Sequence, residues 1–337
     1  MELSVCAPRP DLQPAVSGGR CSDAINPPLR LFDVPIPSSL HQLGECVRAS
    51  VFGNPSSPPV VVLGGISSDC FPGMRPDGGA GWWPGLIGEG CALDPRRHCI
   101  IGVDFAADDT GSSAPTTMDQ AQVLAAALDA IGIERPCTIV GSSYGGMVAL
   151  ALAEQEPERI ARLVIVSAGA EPHPAATAAR ELQRRVVALG IESGQGEQAL
   201  AIARGMAMLT YRTPAEFAAR FDGGIDESCP QTCSGPGAYL RSRGNAFLSV
   251  MSPGRFLSLS ASIDRHRVHP SAITAPCLLI GAESDQLVYP DQMRALNNAL
   301  SGHSELHLLD SLYGHDMFLK EAVRVGELVT TFVSAEA

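Results

Sequence analysis

Basic character is what this sequence most lacks. It carries 24 Lys and Arg against 36 Asp and Glu, a net charge of −12, and no block of five or more Lys/Arg residues. A surface for nucleic acid or anionic membrane is therefore disfavoured, and small molecules are the expected partners. The N-terminus, MELSVCAPRPDLQPAVSGGR, has no basic stretch followed by an apolar run, and no segment offers roughly 18 unbroken apolar residues. The expectation is a cytoplasmic protein that does not cross a membrane. Nucleotide motifs are missing too: there is no G-x-x-x-x-G-K-[ST] and no dinucleotide fingerprint after the first buried strand. The ten cysteines are scattered singly, several (Cys99, Cys137, Cys277) inside apolar runs, which suits buried thiols better than a disulfide framework. Cys229 and Cys233 have no second Cys/His pair nearby, so no metal site is expected.

What is present is an alternation of short apolar runs and helical patterns, with 45% hydrophobic residues to fill a core. Residues 1–28, rich in Pro, Gly and Ser without periodicity, read as a flexible N-terminal arm. LRLFDVPI and ECVRASVFG read as an antiparallel edge. PPVVVLGG, HCIIGVDF (98–105), CTIVGSS, ARLVIVSAG (161–169), APCLLIGAES (275–284) and ELHLLDS read as buried strands. Helical patterns fall at 117–133, after the serines of CTIVGSS, near 291–300 and from Met317 to Ser334. The fold class is α/β, a mostly parallel, doubly wound sheet with helices on both faces. From about 170 to 269 the regularity stops. Helical patterns (ATAARELQRRVVALG, GEQALAIARGMAML, PAEFAARF) give way to a Gly/Pro/Ser-rich stretch running to about 244. This reads as a helical lid inserted into a core made of 29–169 and 270–337.

TIVGSSYGGMVAL (138–150) contains G-x-S-x-G as Gly141-Ser142-Ser143-Tyr144-Gly145, a nucleophile elbow centred on Ser143. A serine hydroxyl is a weak nucleophile, so a base and a group orienting that base must follow. In chain order the acid is Asp285, past the strand CLLIGAES, with Glu283 as a competitor. The base is His315, in the glycine-containing loop after the last strand. The other seven histidines, including His266 and His307, sit where solvated or structural roles are the default. An oxyanion hole would take one N–H from Tyr144 and another from the loop GGISSD, which offers Gly65 and Ile66; Ile66 is the choice.

Four local signatures extend the pattern: GWWPGLIGEGCALDPRRHCIIGVDF (81–105), GSSYGGMVAL (141–150), LAIARGMAMLTYRTPAEFAARF (200–221) and LYGHDMFL (312–319). With them the chain resembles the homoserine O-acyltransferases, enzymes of the α/β-hydrolase fold, over about residues 30–335. The resemblance implies ping-pong acyl transfer from acyl-CoA, a co-substrate rather than a resident cofactor, through a Ser143 acyl-enzyme to homoserine or serine. Acetyl and succinyl donors both remain open, and water as acceptor would make the protein an esterase. It also implies Arg204 on the amino acid's carboxylate, Asp316 on its ammonium, a homodimer, and a place in methionine- or cysteine-type biosynthesis. The departures are Tyr144 where the family has methionine, LGGIS at the oxyanion strand, and a shorter segment before LTYR. Tyr144's side chain is accordingly expected to help select the acyl group. Arg180, Arg184 and Arg185 are expected to line an entrance for coenzyme A.

Overall fold

The computed structural model describes residues 29–221 and 235–334. The N-terminal arm and the Cys229/Cys233 pair lie outside the described residues. The chain runs β1 (Arg30–Pro35), β2 (Cys46–Gly53), β3 (Pro59–Leu63), β4 (Cys99–Val103), α1 (Thr117–Ile131), β5 (Cys137–Ser142), α2 (Tyr144–Gln155) and β6 (Ile160–Val166). Five helices follow: α3 (Pro174–Glu192), α4 (Gly196–Tyr211), α5 (Pro214–Arg220), α6 (Gly235–Phe247) and α7 (Pro253–Asp264). The sheet then resumes with β7 (Cys277–Ala282), α8 (Pro290–Ala299), β8 (Ser304–Leu309), α9 (Met317–Lys320) and α10 (Ala322–Ser334).

The eight strands order as β1-β2-β4-β3-β5-β6-β7-β8. Only β2 runs against its neighbours, pairing antiparallel with both β1 and β4; every other pairing is parallel. The α/β-hydrolase fold is therefore present. The continuous apolar runs have a direct cause: both faces are covered, so each pleat buries successive side chains on opposite sides. On β5, Ile139 joins the core under α1 and α2, while Val140 joins the core containing Trp83, Val325 and Val329. Helix α2 is buried on every side from Tyr144 to Ala153, which is why its sequence lacks a polar stripe. No described helix is long and apolar enough to cross a membrane.

Two stretches depart from the sequence reading. Gly235–Phe247 lies mostly within the Gly/Pro/Ser-rich stretch, yet it is helical. Its Gly244 lies so close to α4 that a Cβ there would come within 2.3 Å of the Ala201 carbonyl oxygen. The glycine serves close helix packing rather than chain reversal. The final helix is also interrupted. A 3₁₀ turn at Gly314–Asp316 precedes the short α9, and Glu321 leaves helical geometry before α10 begins.

Candidate active site

The elbow is built by crowding. Ser143 joins β5 directly to α2 with φ 51° and ψ −119°, a conformation that a non-glycine residue holds only under constraint. Its N–H donates to Val166 O at 2.8 Å, and the N–H of Gly145 donates to Gly64 O at 2.8 Å, tying the turn to the strands on either side. A Cβ on Gly141 would lie 2.5 Å from Gly145 O, and one on Gly145 would lie 2.4 Å from Leu63 O. Glycine at both positions is thus a packing requirement, and the approach aims the N-terminus of α2 at the space above Ser143.

The loops after β7 and β8 complete a relay. Ser143 Oγ lies 2.9 Å from His315 Nε2, and His315 Nδ1 lies 2.8 Å from Asp285 Oδ2. The other oxygen of Asp285 accepts the Leu287 and Val288 N–H groups at 2.8 and 3.0 Å, so the carboxylate has little freedom to rotate. Glu283, the competing acid, turns outward to Arg294 at 3.1 Å. Burial disfavours the charged form of His315. The charge and hydrogen bond of Asp285, with a smaller contribution from Asp316, outweigh that and raise its pKa. With the imidazole neutral, Nδ1–H donates to Asp285 and Nε2 is left to accept the serine proton.

A pocket of about 550 Å³, including its mouth, opens over Ser143 and His315; Arg180, Gln183 and Tyr211 contribute to its walls. Residues of LTYR and LYGHD brace one another beside it. Tyr211 stacks on the His315 ring with centroids 5.8 Å apart. Arg212 reaches Asp316 at 3.4 Å and also pairs with Glu216, while Thr213 Oγ1 donates to Leu312 O at 2.6 Å. The tryptophan pair works from below: Trp83 Nε1 donates to the Phe318 carbonyl at 3.1 Å, and its ring meets Phe318 edge-on. These signatures therefore surround the histidine loop.

Several expected residues sit differently. Arg204 is not among the pocket-lining residues; its guanidinium lies over the Tyr211 and Phe247 rings at 5.1 and 4.7 Å. Asp316 is not a lining residue either and is engaged by Arg212. The Tyr144 side chain does not face the pocket, which corrects the acyl-selecting role expected of it. Its ring packs edge-on against Phe105, and its hydroxyl lies 2.6 Å from Ser262 Oγ on α7. Burial raises its pKa far above the ordinary phenol value. Only the Tyr144 backbone stays at the elbow, as the first residue of α2. Ile66 lies half-buried in the loop beside it, where Ser68 N–H and Oγ both fold back onto Gly65 O.

Of the three arginines expected to line an entrance, Arg180 lines the pocket, Arg184 turns to Ser260 and Asp264, and Arg185 is exposed. Sequence reasoning missed Tyr211, Gln183 and Asp264. Tyr211 lay inside a recognised signature without an assigned role, whereas no spacing links Asp264 to α3.

Residues 58–322 match the model of the alpha/beta hydrolase fold family. Homoserine O-succinyltransferase of Xanthomonas campestris pv. campestris is 39% identical over 85% of this chain and 78% of its own. Homoserine O-acetyltransferase of Thermus thermophilus is 31% identical over 76% and 73%. Serine O-succinyltransferase of Stenotrophomonas maltophilia is 28% identical over 82% and 87%. Among solved structures, esterase E22 superposes with a TM-score of 0.79 at 19% identity, covering 91% of this chain and all of that one. Homoserine O-acetyltransferase from Bacillus anthracis superposes with 0.78 at 15%, covering 92% and 97%. At such identities the superpositions speak for the fold alone, since an esterase and a transferase fit equally well. The sequence relatives decide the branch: the chain belongs to the homoserine O-acyltransferase family of α/β-hydrolase-fold enzymes and is an acyltransferase.

Proposed function

We propose that this enzyme moves an acetyl or succinyl group from acyl-CoA to the side-chain hydroxyl of homoserine, or of serine, by a ping-pong mechanism through a Ser143 acyl-enzyme. The observation that carries the reading is the unbroken Ser143–His315–Asp285 relay opening into a pocket under α3, α4 and α7. Ser143 Oγ attacks the thioester carbonyl as His315 Nε2 takes its proton. The tetrahedral oxyanion accepts hydrogen bonds from the backbone N–H groups of Tyr144 and Ile66. Collapse breaks the C–S bond, and His315 returns the proton to the departing sulfur, giving coenzyme A thiol. The amino acid's hydroxyl then gives its proton to His315 and attacks the acyl-serine. The second collapse releases the O-acyl amino acid and reprotonates Ser143.

In this reading the stretch 170–269 is the lid that keeps water from the acyl-enzyme. Arg204, over the Tyr211 ring that stacks on His315, takes the acceptor's carboxylate, and Asp316, next to His315 in the chain, takes its ammonium. A cytoplasmic homodimer serving sulfur amino-acid biosynthesis fits the product, whose acylated oxygen is a good leaving group.

The test is release of coenzyme A thiol from acetyl- and succinyl-CoA with homoserine, with serine and with no acceptor. Release beyond the first equivalent per enzyme should depend on the acceptor. Equal release without one would make the enzyme a thioesterase and overturn the transferase reading.

A further inference from the structure

The walls of the pocket hold a charge imbalance. Asp264, at the end of α7, receives two guanidinium groups from α3. Arg180 binds Oδ1 through Nε at 2.8 Å and Nη2 at 2.6 Å, and Arg184 binds Oδ2 through Nη1 at 2.6 Å. Thr177 Oγ1 donates to the same Oδ1 at 2.8 Å, so the carboxylate is saturated with donors. All three charged side chains are largely buried, with side-chain exposures of 12%, 19% and 10% for Arg180, Arg184 and Asp264. One carboxylate facing two guanidiniums leaves this cluster with one net positive charge, in a setting where water screens it poorly. Glu171, which also lines the pocket, is paired with Arg267 at 2.9 Å.

The free hydrogen-bonding capacity points the same way. Arg180 spends its Nε/Nη2 edge on Asp264, and Nη1 has no partner among the described residues. One turn further along α3, Gln183 also lines the pocket. It is only 5% exposed, and its amide has no hydrogen bond among the described residues. Two uncommitted donors beside a surplus positive charge suit a carboxylate. The position is reached from Ser143, whose pocket it shares. The charge of Arg180 is also felt at His315, where it opposes protonation.

We infer that Arg180 and Gln183 form an acyl-group subsite for a terminal carboxylate, so that the donor is a dicarboxylic monothioester of succinyl type rather than acetyl-CoA. The inference rests on the acyl-enzyme reading above and narrows its donor. The acceptor's carboxylate and the phosphates of coenzyme A are the other anions that Arg180 could meet, and the experiment separates all three.

Acylation is measured alone, as single-turnover thiol release without acceptor, using succinyl-CoA, acetyl-CoA and butyryl-CoA, in which a methyl replaces the distal carboxylate. The native enzyme should favour succinyl-CoA over butyryl-CoA by about a hundredfold, and Arg180→Gln should collapse that preference, as loss of a buried charge-assisted pair does. The variant keeps the Arg184–Asp264 pair matched one to one, and a thermal melt checks its fold. Arg184→Gln retains Arg180 but removes the surplus charge, and should lower the preference by about tenfold. Equal losses with all three donors would place Arg180 on coenzyme A. A change confined to the KM of the amino acid would place it on the acceptor. Either result overturns the subsite. A succinyl preference that Arg180→Gln abolishes, coupled with turnover indifferent to homoserine, would uphold the subsite and overturn the transferase reading instead.

Discussion

Two adjacent hydroxyls end β5, and their surroundings give them opposite roles. Ser143 Oγ is held 2.9 Å from His315, whereas Ser142 Oγ is fully buried with no hydrogen-bond partner among the described residues. An unsatisfied buried hydroxyl costs free energy that a methyl of similar shape does not. Ser142→Ala should therefore keep acyl transfer and raise stability by about 1 kcal/mol in urea titration, while Ser143→Ala should lower acylation by about 10⁴-fold. The reverse pattern would relocate the nucleophile. The base has its own signature. Asp285 raises the pKa of His315 despite burial, and only the neutral imidazole accepts a proton. Acylation should rise with pH through a limb above the ordinary histidine value and then level off. Asp285→Asn removes the raising charge, so that limb should move to lower pH while the plateau falls; an unmoved limb would mean that another group titrates.

At the scale of elements, the histidine loop is held by a hydroxyl with two tasks. Thr213 Oγ1 donates to Leu312 O and accepts from Glu216 N–H at 3.0 Å, so it both tethers the loop and caps α5. Thr213→Val should cost about 1–2 kcal/mol of stability from the lost cap. It should also lower kcat several-fold, because Leu312 lies three residues before His315. Thr213→Ser, which restores both bonds, should recover both losses; a serine variant as impaired as the valine would assign the effect to packing instead. Elements of this kind mark where sequence reading stops. The strands and the elbow were legible because a buried parallel strand must be a continuous apolar run, and because the G-x-S-x-G spacing is local: Gly141 answers to Gly145 inside the motif, while Gly145 answers to Leu63 of β3. Helix α6 was not, since Gly244 looks like a breaker until Ala201 is seen against it. The Asp264 arginine cluster was equally invisible: its members stand 84 and 80 residues apart along the chain, and no periodicity connects them.

Across the whole molecule, α7 is the seam between the sheet and the helices that wall the pocket. Ser258 Oγ accepts the Asp108 N–H, Arg255 donates to Phe105 O, Ser262 meets Tyr144, and just past the helix lies His266. That histidine is buried between Thr117, at the start of α1, and Gly169, after β6, with Nδ1 2.8 Å from Thr117 Oγ1 and Nε2 3.0 Å from Gly169 O. The pair of bonds suits the neutral ring, Nε2–H donating and Nδ1 accepting. Burial dominates over the raising effects of Gly169 O and Glu154 and pulls its pKa down to about 4. The sign follows from proton linkage: between about 6.5 and 4 the unfolded chain binds a proton that the folded one refuses. Stability from this group is complete above pH 6.5 and is lost as pH falls through that window, on the order of 3 kcal/mol. Glutamine can present one donor and one acceptor without titrating. His266→Gln should therefore flatten the fall in unfolding free energy between pH 7 and pH 4 by about that amount, measured by denaturant titration at each pH. An undiminished acid slope in the variant would mean that other groups open the seam. If the slope does flatten, acid loosens the anchor of α7 first, and with it the pocket wall that carries Asp264, so acyl transfer should fail at a higher pH than the sheet unfolds.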